Sequence, residues 1–137
     1  MRRMARYVVG RAADLPPGSR KIVTAAGRSI GVFNIKGTFY GLRNRCPHQG
    51  APLCLGRIKG TTLPGRPYEY RYGREDEIIQ CPWHGWEFEI ATGRTYFNPH
   101  KMRAKTYEVT IGRPGEEDVV LETFPVTTED GLVILEA

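Results

Sequence analysis

Cys46, His48, Cys81 and His84 are the residues of this 137-residue chain best suited to chemistry. They fall in two short segments, Cys46-Pro47-His48-Gln49-Gly50 and Cys81-Pro82-Trp83-His84-Gly85-Trp86, whose cysteines stand 35 positions apart. Each segment offers one thiolate and one imidazole, donors suited to transition metals. Pro and Gly in both mark them as loops, with Pro47 and Pro82 stiffening the backbone. Several chemistries can use this set. A Cys46–Cys81 disulfide accounts for the thiols and leaves two similarly placed histidines unexplained. A tetrahedral Cys2His2 zinc site uses all four donors. Zinc fingers, however, group Cys with Cys and His with His, whereas each loop here mixes the two. Cys at one position and His two or three further on can reach two adjacent metals, so the mixed pairing favours two metal ions over one.

This pairing resembles the Rieske iron–sulfur pattern, in which two histidines replace two cysteines on one iron of a [2Fe–2S] cluster. The resemblance implies one cluster per chain, with Cys46 and Cys81 on the inner iron and His48 and His84 on the outer iron near the surface. It sets Gln49, Gly50, Trp83, Gly85 and Trp86 around those ligands. The small Gly50 and Gly85 would let backbone N–H groups approach the bridging sulfides. High-potential Rieske proteins of cytochrome bc complexes add a cysteine to each loop, and the matching positions here are Ala51 and Trp83. They also place a serine and a tyrosine hydroxyl near the cluster, where this chain has Trp86 and Phe88. Fewer hydrogen bonds to sulfur imply a potential at the low end of the Rieske span of about −150 to +300 mV. Cys-Pro-Trp-His-Gly-Trp followed by Glu87-Phe88-Glu89 is similar to the ferredoxins and oxygenase subunits of bacterial ring-hydroxylating systems.

Length separates those two. A terminal oxygenase needs a second domain that holds mononuclear iron through two histidines and a carboxylate. This chain has His48, His84 and His100, two of them already assigned. The resemblance therefore implies a one-electron carrier without substrate chemistry of its own. It would take electrons from a flavin- or nicotinamide-linked reductase and pass them to a terminal oxygenase, with His48 and His84 at the exit. If those histidines ionise, reduction raises their proton affinity, and the midpoint potential falls with rising pH above the oxidised-state histidine pKa. One alternative is a tightly bound electron-transfer subunit, similar in role to small nitrite reductase subunits. Another is a module that holds structural zinc.

Composition suits a water-soluble domain: 40% hydrophobic and 26% charged residues, with 20 basic against 15 acidic side chains for a net charge of +5. A positive field of that size can steer an acidic redox partner. The arginines are scattered, without a basic helix or an aromatic recognition motif, so no nucleic-acid partner is expected. The longest apolar runs, such as Leu132-Val133-Ile134-Leu135, are strand-length, so no membrane span is expected. Arg2-Arg3 precedes a stretch too short and too charged for an export signal. The expected location is the cytoplasm.

Strand signals must position the two loops. Tyr7–Val9, Lys21–Thr24, Ser29–Ile35, Thr38–Leu42, Trp86–Ile90, Lys105–Ile111, Val119–Val126 and Leu132–Leu135 read as strands, with hairpin turns such as Lys36-Gly37 and Asp130-Gly131. No segment sustains helical periodicity. With the resemblance, the fold class is all-β: a Rieske-like antiparallel β-sandwich with an inserted cluster-binding subdomain. Residues 1–44 and 95–137 would form the basal part and 45–94 the subdomain, in one domain spanning 1–137. Between His48 and Cys81 lie 32 residues, longer than the interval usual in Rieske ferredoxins. The excess, around Thr61 to Asp76, is expected to be a hairpin with Tyr68, Tyr70 and Tyr72 on one face. Gly112 to Asp118 is expected to be an enlarged hairpin loop. Cys54 is expected to be a small buried hydrophobe, His100 a surface turn residue, and Glu75-Asp76-Glu77 a solvated charge run. Trp83 and Trp86 suit either the core or the surface.

Overall fold

The all-β expectation holds. The computed structural model describes residues 5–47, 50–63, 71–83, 85–95, 103–112, 118–121 and 131–137. Among these residues the strands are β1 (Arg6–Arg11), β2 (Arg20–Ala25), β3 (Arg28–Ile35), β4 (Thr38–Arg43), β5 (Arg57–Leu63), β6 (Arg71–Gln80), β7 (Glu87–Glu89), β8 (Thr106–Tyr107), β9 (Val109–Gly112), β10 (Val119–Val120) and β11 (Leu132–Glu136). Single 3-10 turns lie at Ala12–Asp14 and Leu53–Leu55.

Local sequence builds the central hairpins. β2 and β3 close through Ala26-Gly27, and β3 and β4 through Lys36-Gly37. All four turn residues have φ between 53° and 95°, the left-handed backbone that matches the twist of a two-residue hairpin. Buried Asn34 is satisfied on both sides, its Nδ2 donating to the Leu15 carbonyl at 2.7 Å and its Oδ1 accepting the Gly37 N–H at 2.8 Å.

Three sheets result, in the orders β10-β1-β11-β9, β2-β3-β4-β8 and β5-β6-β7. The second is the middle layer, because β3 is buried on both faces from Ile30 to Ile35. Alternation sends Ile30 and Val32 toward Val9, Val133 and Leu135 of the first sheet. It sends Phe33 and Ile35 the other way, into a core shared with Ile79 and Phe88 of the third sheet. That second core also contains both loop cysteines.

Two connections differ from expectation. The Lys105–Ile111 strand is two strands, with Thr106–Tyr107 paired to β4 and Val109–Gly112 paired to β11. The chain changes sheets at Glu108, whose carbonyl accepts the Glu136 N–H at 3.0 Å. Tyr107 and Val109 both serve the sandwich core, so the apolar pattern runs unbroken through the corner. β9 and β10 are not hairpin partners: they occupy opposite edges of the first sheet, with β1 and β11 between them, and β10 runs parallel to β1; 113–117, within the expected Gly112 to Asp118 loop, lie outside the described residues. Of the expected Val119–Val126 strand, Val119–Val120 is β10, and 122–130 lie outside the described residues.

The insertion is a hairpin of β5 and β6, paired out to Leu63 and Arg71. Its register jumps from Lys59–Ile78 to Thr61–Gly73, so 74–77 bulge opposite Gly60, with Asp76 at φ 64°. Glu77, read as part of a solvated run, pairs with Lys36 Nζ at 3.2 Å and gives its carbonyl to the Ile90 N–H. Tyr68 and Tyr70, and the side chain of Tyr72, lie outside what the structure describes.

Gly31 on β3 is required by Cys54, because a Cβ there would stand 2.6 Å from Cys54 Sγ and 2.9 Å from a Phe33 ring carbon. Gly31→Ala is expected to destabilise by about 1–3 kcal/mol through overpacking. Adding Cys54→Ala removes the nearest atom and should recover part of the loss. Thermal melts of the two single variants and the double variant check this; a double variant no more stable than Gly31→Ala alone contradicts it.

Candidate metal centre

Each cysteine loop leaves a strand end and repeats one backbone plan. Cys46 follows β4 after two residues, and Cys81 follows β6 directly. The Cys46 N–H donates to the Ala51 carbonyl at 2.8 Å and the Cys81 N–H to the Trp86 carbonyl at 2.7 Å, each five residues on. The Gly50 and Gly85 N–H groups return to the Cys46 and Cys81 carbonyls at 2.8 and 3.0 Å. Both glycines are left-handed, at φ 80° and 71°, where any side chain is strained. Their role is thus to reverse the chain. Their own amides serve the cysteine carbonyls.

The thiols converge in one apolar environment. Cys46 is 1% and Cys81 2% exposed, and both belong to the core with Ala51, Leu53, Phe88 and Ile90. Both stand as free thiols, unbridged to one another. Two buried thiols on duplicated loops fit a cluster that takes one thiolate from each loop. His48, Gln49 and His84 lie outside the described residues. The tryptophans separate: Trp86 packs on the core, whereas Trp83 is 58% exposed. Phe88 is fully buried and, like Trp86, brings no hydroxyl.

Neighbouring elements hold the loops in place. Asn44 Oδ1 accepts the Cys54 N–H at 2.8 Å, and its Nδ2 donates to Ser29 Oγ at 3.1 Å, so the first loop is closed across its base. Sequence reasoning passed over Asn44, whose only signal is an amide side chain just beyond a strand. After the second loop, Lys59 Nζ meets Glu87 Oε2 at 2.8 Å, tying β5 to β7 across β6.

Cys54 is fully buried, as expected, and its Sγ donates to the Leu42 carbonyl at 3.2 Å. Burial pushes its pKa from 9.0 to about 12, against the opposing pull of a backbone hydrogen bond from Gly31 and the charge of Arg20. Well below pH 9 this thiol is protonated whether the chain is folded or unfolded and contributes no pH dependence. Between pH 9 and 12 the unfolded state releases the proton first, so stability falls as pH rises. Melting temperature should therefore drop more steeply across that window in the wild type than in Cys54→Ala; equal slopes contradict the assignment.

Comparison with known proteins agrees with this geometry. The sequence model of the Rieske [2Fe–2S] domain family matches residues 5–108. A human Rieske domain-containing protein is 33% identical over 100 residues, covering 71% of this chain and 56% of the human protein. The chain thus spans little more than half the length of that relative. The ferredoxin component of a naphthalene 1,2-dioxygenase system from Pseudomonas aeruginosa is 30% identical over 98 residues, covering 72% of this chain and 79% of that protein. Among solved structures, the ferredoxin of Sphingomonas yanoikuyae B1 superposes with a TM-score of 0.60 at 27% identity, covering 95% of this chain and 96% of that one.

Proposed function

Because this chain belongs to the Rieske [2Fe–2S] domain family, we propose that it is the ferredoxin component of an oxygenase system, taking electrons from a reductase and passing them to a terminal oxygenase. The observation that carries this reading is the pair of buried thiols on matching loops, in a chain similar to a named dioxygenase ferredoxin component along most of that protein's length. In this reading Cys46 and Cys81 hold the inner iron, and His48 and His84 hold the outer one. The cluster, when bound, supplies a reversible one-electron site.

The chain's own residues do the rest. Phe88, Ile90 and Leu53 keep water from the cysteine side, and the left-handed Gly50 and Gly85 fold each loop back over its cysteine carbonyl. Trp83, exposed between Cys81 and His84 in the chain, offers a flat apolar contact for a partner. Trp86 and Phe88 withhold the hydroxyl hydrogen bonds that raise a potential, which supports a value at the low end of the family span. We further divide the chain into a cluster-bearing unit, about 45–94, inserted into a basal sandwich. The third sheet and both cysteine loops fall within that unit, and the strands of the other two sheets lie outside it. A cytoplasmic location is part of the proposal; among the described residues no helix is long and apolar enough to cross a membrane.

The test is electron transfer in a reconstituted system. Purified holoprotein, reduced by a flavin-dependent ferredoxin reductase, is mixed with a ring-hydroxylating oxygenase and its absorbance is followed. The proposal expects rapid reduction and reoxidation that accelerates with oxygenase concentration. Reoxidation no faster than in buffer across a panel of such oxygenases would overturn the carrier role.

A further inference from the structure

Arg20 lies on β2, far in sequence from both cysteine loops, yet it reaches across to the segment between them. Arg20 pairs with Phe33 in the β2–β3 register, so its side chain leaves the face of the middle sheet that carries the cysteine core. Its Nη1 donates to the Cys54 carbonyl at 2.7 Å and to the Gly56 carbonyl at 2.5 Å. One cationic nitrogen therefore fixes two carbonyls of the chain that leaves the first loop. The fixed segment has no slack against the second loop. At Gly56 a Cβ would lie 2.0 Å from the carbonyl oxygen of Gln80 and 3.0 Å from its carbonyl carbon, and Gln80 immediately precedes Cys81. From the other side, the Cys54 N–H is held by Asn44, two residues before Cys46. A continuous set of contacts thus runs from Asn44 through Cys54 and Gly56 to Gln80, with Arg20 pressing it onto the sheet.

From this arrangement we propose that Arg20 is a positioning residue for the cluster, acting as a clamp that sets the spacing of the Cys46 and Cys81 loops. Charge-assisted hydrogen bonds are the strong ones, and a donor shared by two carbonyls resists shear in either direction. Without it, the Cys54 and Gly56 carbonyls lose their shared cation, the segment keeps only the Asn44 and Leu42 contacts of Cys54 and its own 3-10 bonds, and the two thiols can drift apart by the small displacements that a compact cluster tolerates poorly. The inference rests on the cluster assignment above.

The test compares holoprotein of wild type, Arg20→Met, Arg20→Lys and Val133→Ala, the last a core truncation in the first sheet away from the loops. Iron release to a chelator is followed well below the melting temperature, and the electron paramagnetic resonance spectrum of each reduced protein is recorded. Arg20→Met should lose iron about tenfold faster, the rate equivalent of one charge-assisted hydrogen bond, with a broadened spectrum. Arg20→Lys, which keeps a cation able to meet both carbonyls, should restore much of the rate and the line shape. Val133→Ala should lower the melting temperature without broadening the spectrum. Iron release from Arg20→Met at the wild-type rate with an unchanged spectrum overturns the clamp, as does acceleration matched by an equally destabilised Val133→Ala. A wild type that binds no iron refutes the cluster assignment itself, which is a distinguishable result.

Discussion

Cys81→Ala protein is expected to be colourless, with iron and acid-labile sulfide near zero per chain. Cys81 is 2% exposed and shares its apolar core with Cys46. Removing it takes away one of two thiolates, and no neighbouring side chain on the described loop can replace it. Cys54 is no substitute, because its thiol is held to the Leu42 carbonyl and burial keeps it protonated. Metal affinity depends on deprotonated ligands and is coupled to folding of the surrounding loops, so the apoprotein should also melt at a lower temperature. Cys46→Ala should behave alike, since its loop repeats the same hydrogen bonds. Cys54→Ala, by contrast, should keep full iron content. Iron and sulfide assays on the three variants, purified without oxygen, decide the matter: appreciable iron in Cys81→Ala contradicts the ligand assignment.

The second large effect is structural. Gly93→Ala should destabilise the fold by about 3 kcal/mol, from roughly 1–2 kcal/mol for a left-handed alanine and a further 1–3 kcal/mol for overpacking. Gly93 sits at φ 75°, and a Cβ there would fall 2.2 Å from the Ala104 carbonyl oxygen. Relief is blocked by the turn's own bonds, because the Gly93 N–H donates to the Glu89 carbonyl at 2.7 Å and the Ala104 N–H donates to the Gly93 carbonyl at 2.8 Å. For a domain of this size the loss corresponds to a melting temperature lower by roughly 10 °C. Glu89 ends β7, which follows the second cysteine loop, so the cluster should also be released sooner on heating. A melting temperature within about 2 °C of wild type, under 1 kcal/mol on the same scale, contradicts this account of the turn.

The loops and most strands were legible because their signals are local. Cys, Pro, His and Gly at short spacing define each loop, and the loops then prove to share hydrogen bonds as well as residues. Ser29–Ile35 and Thr38–Leu42 are rich in β-branched and aromatic residues and are joined by a Gly-bearing turn, so the hairpin could be written down directly, although the equivalent Ala26-Gly27 turn was overlooked because Ala rarely adopts positive φ. What escaped depends on distant partners. Nothing in Tyr107-Glu108-Val109 distinguishes one strand from two strands in different sheets, since both apolar residues face the same core. That β9 and β10 are not hairpin partners shows only once β1 and β11 are seen to lie between them. At the bulge of 74–77, Glu77 meets Lys36 and Ile90, partners 41 and 13 positions away that no local pattern announces. Arg20 offers no sequence clue, because the carbonyls it holds lie 34 and 36 positions away.

Electron paramagnetic resonance of the dithionite-reduced protein, prepared anaerobically and assayed in parallel for iron and sulfide, tests the cluster assignment most directly. The expected result is two irons and two sulfides per chain and a rhombic signal with the average g value of mixed Cys and His ligation, lost in His84→Ala. A colourless, silent protein that binds a single zinc would contradict it.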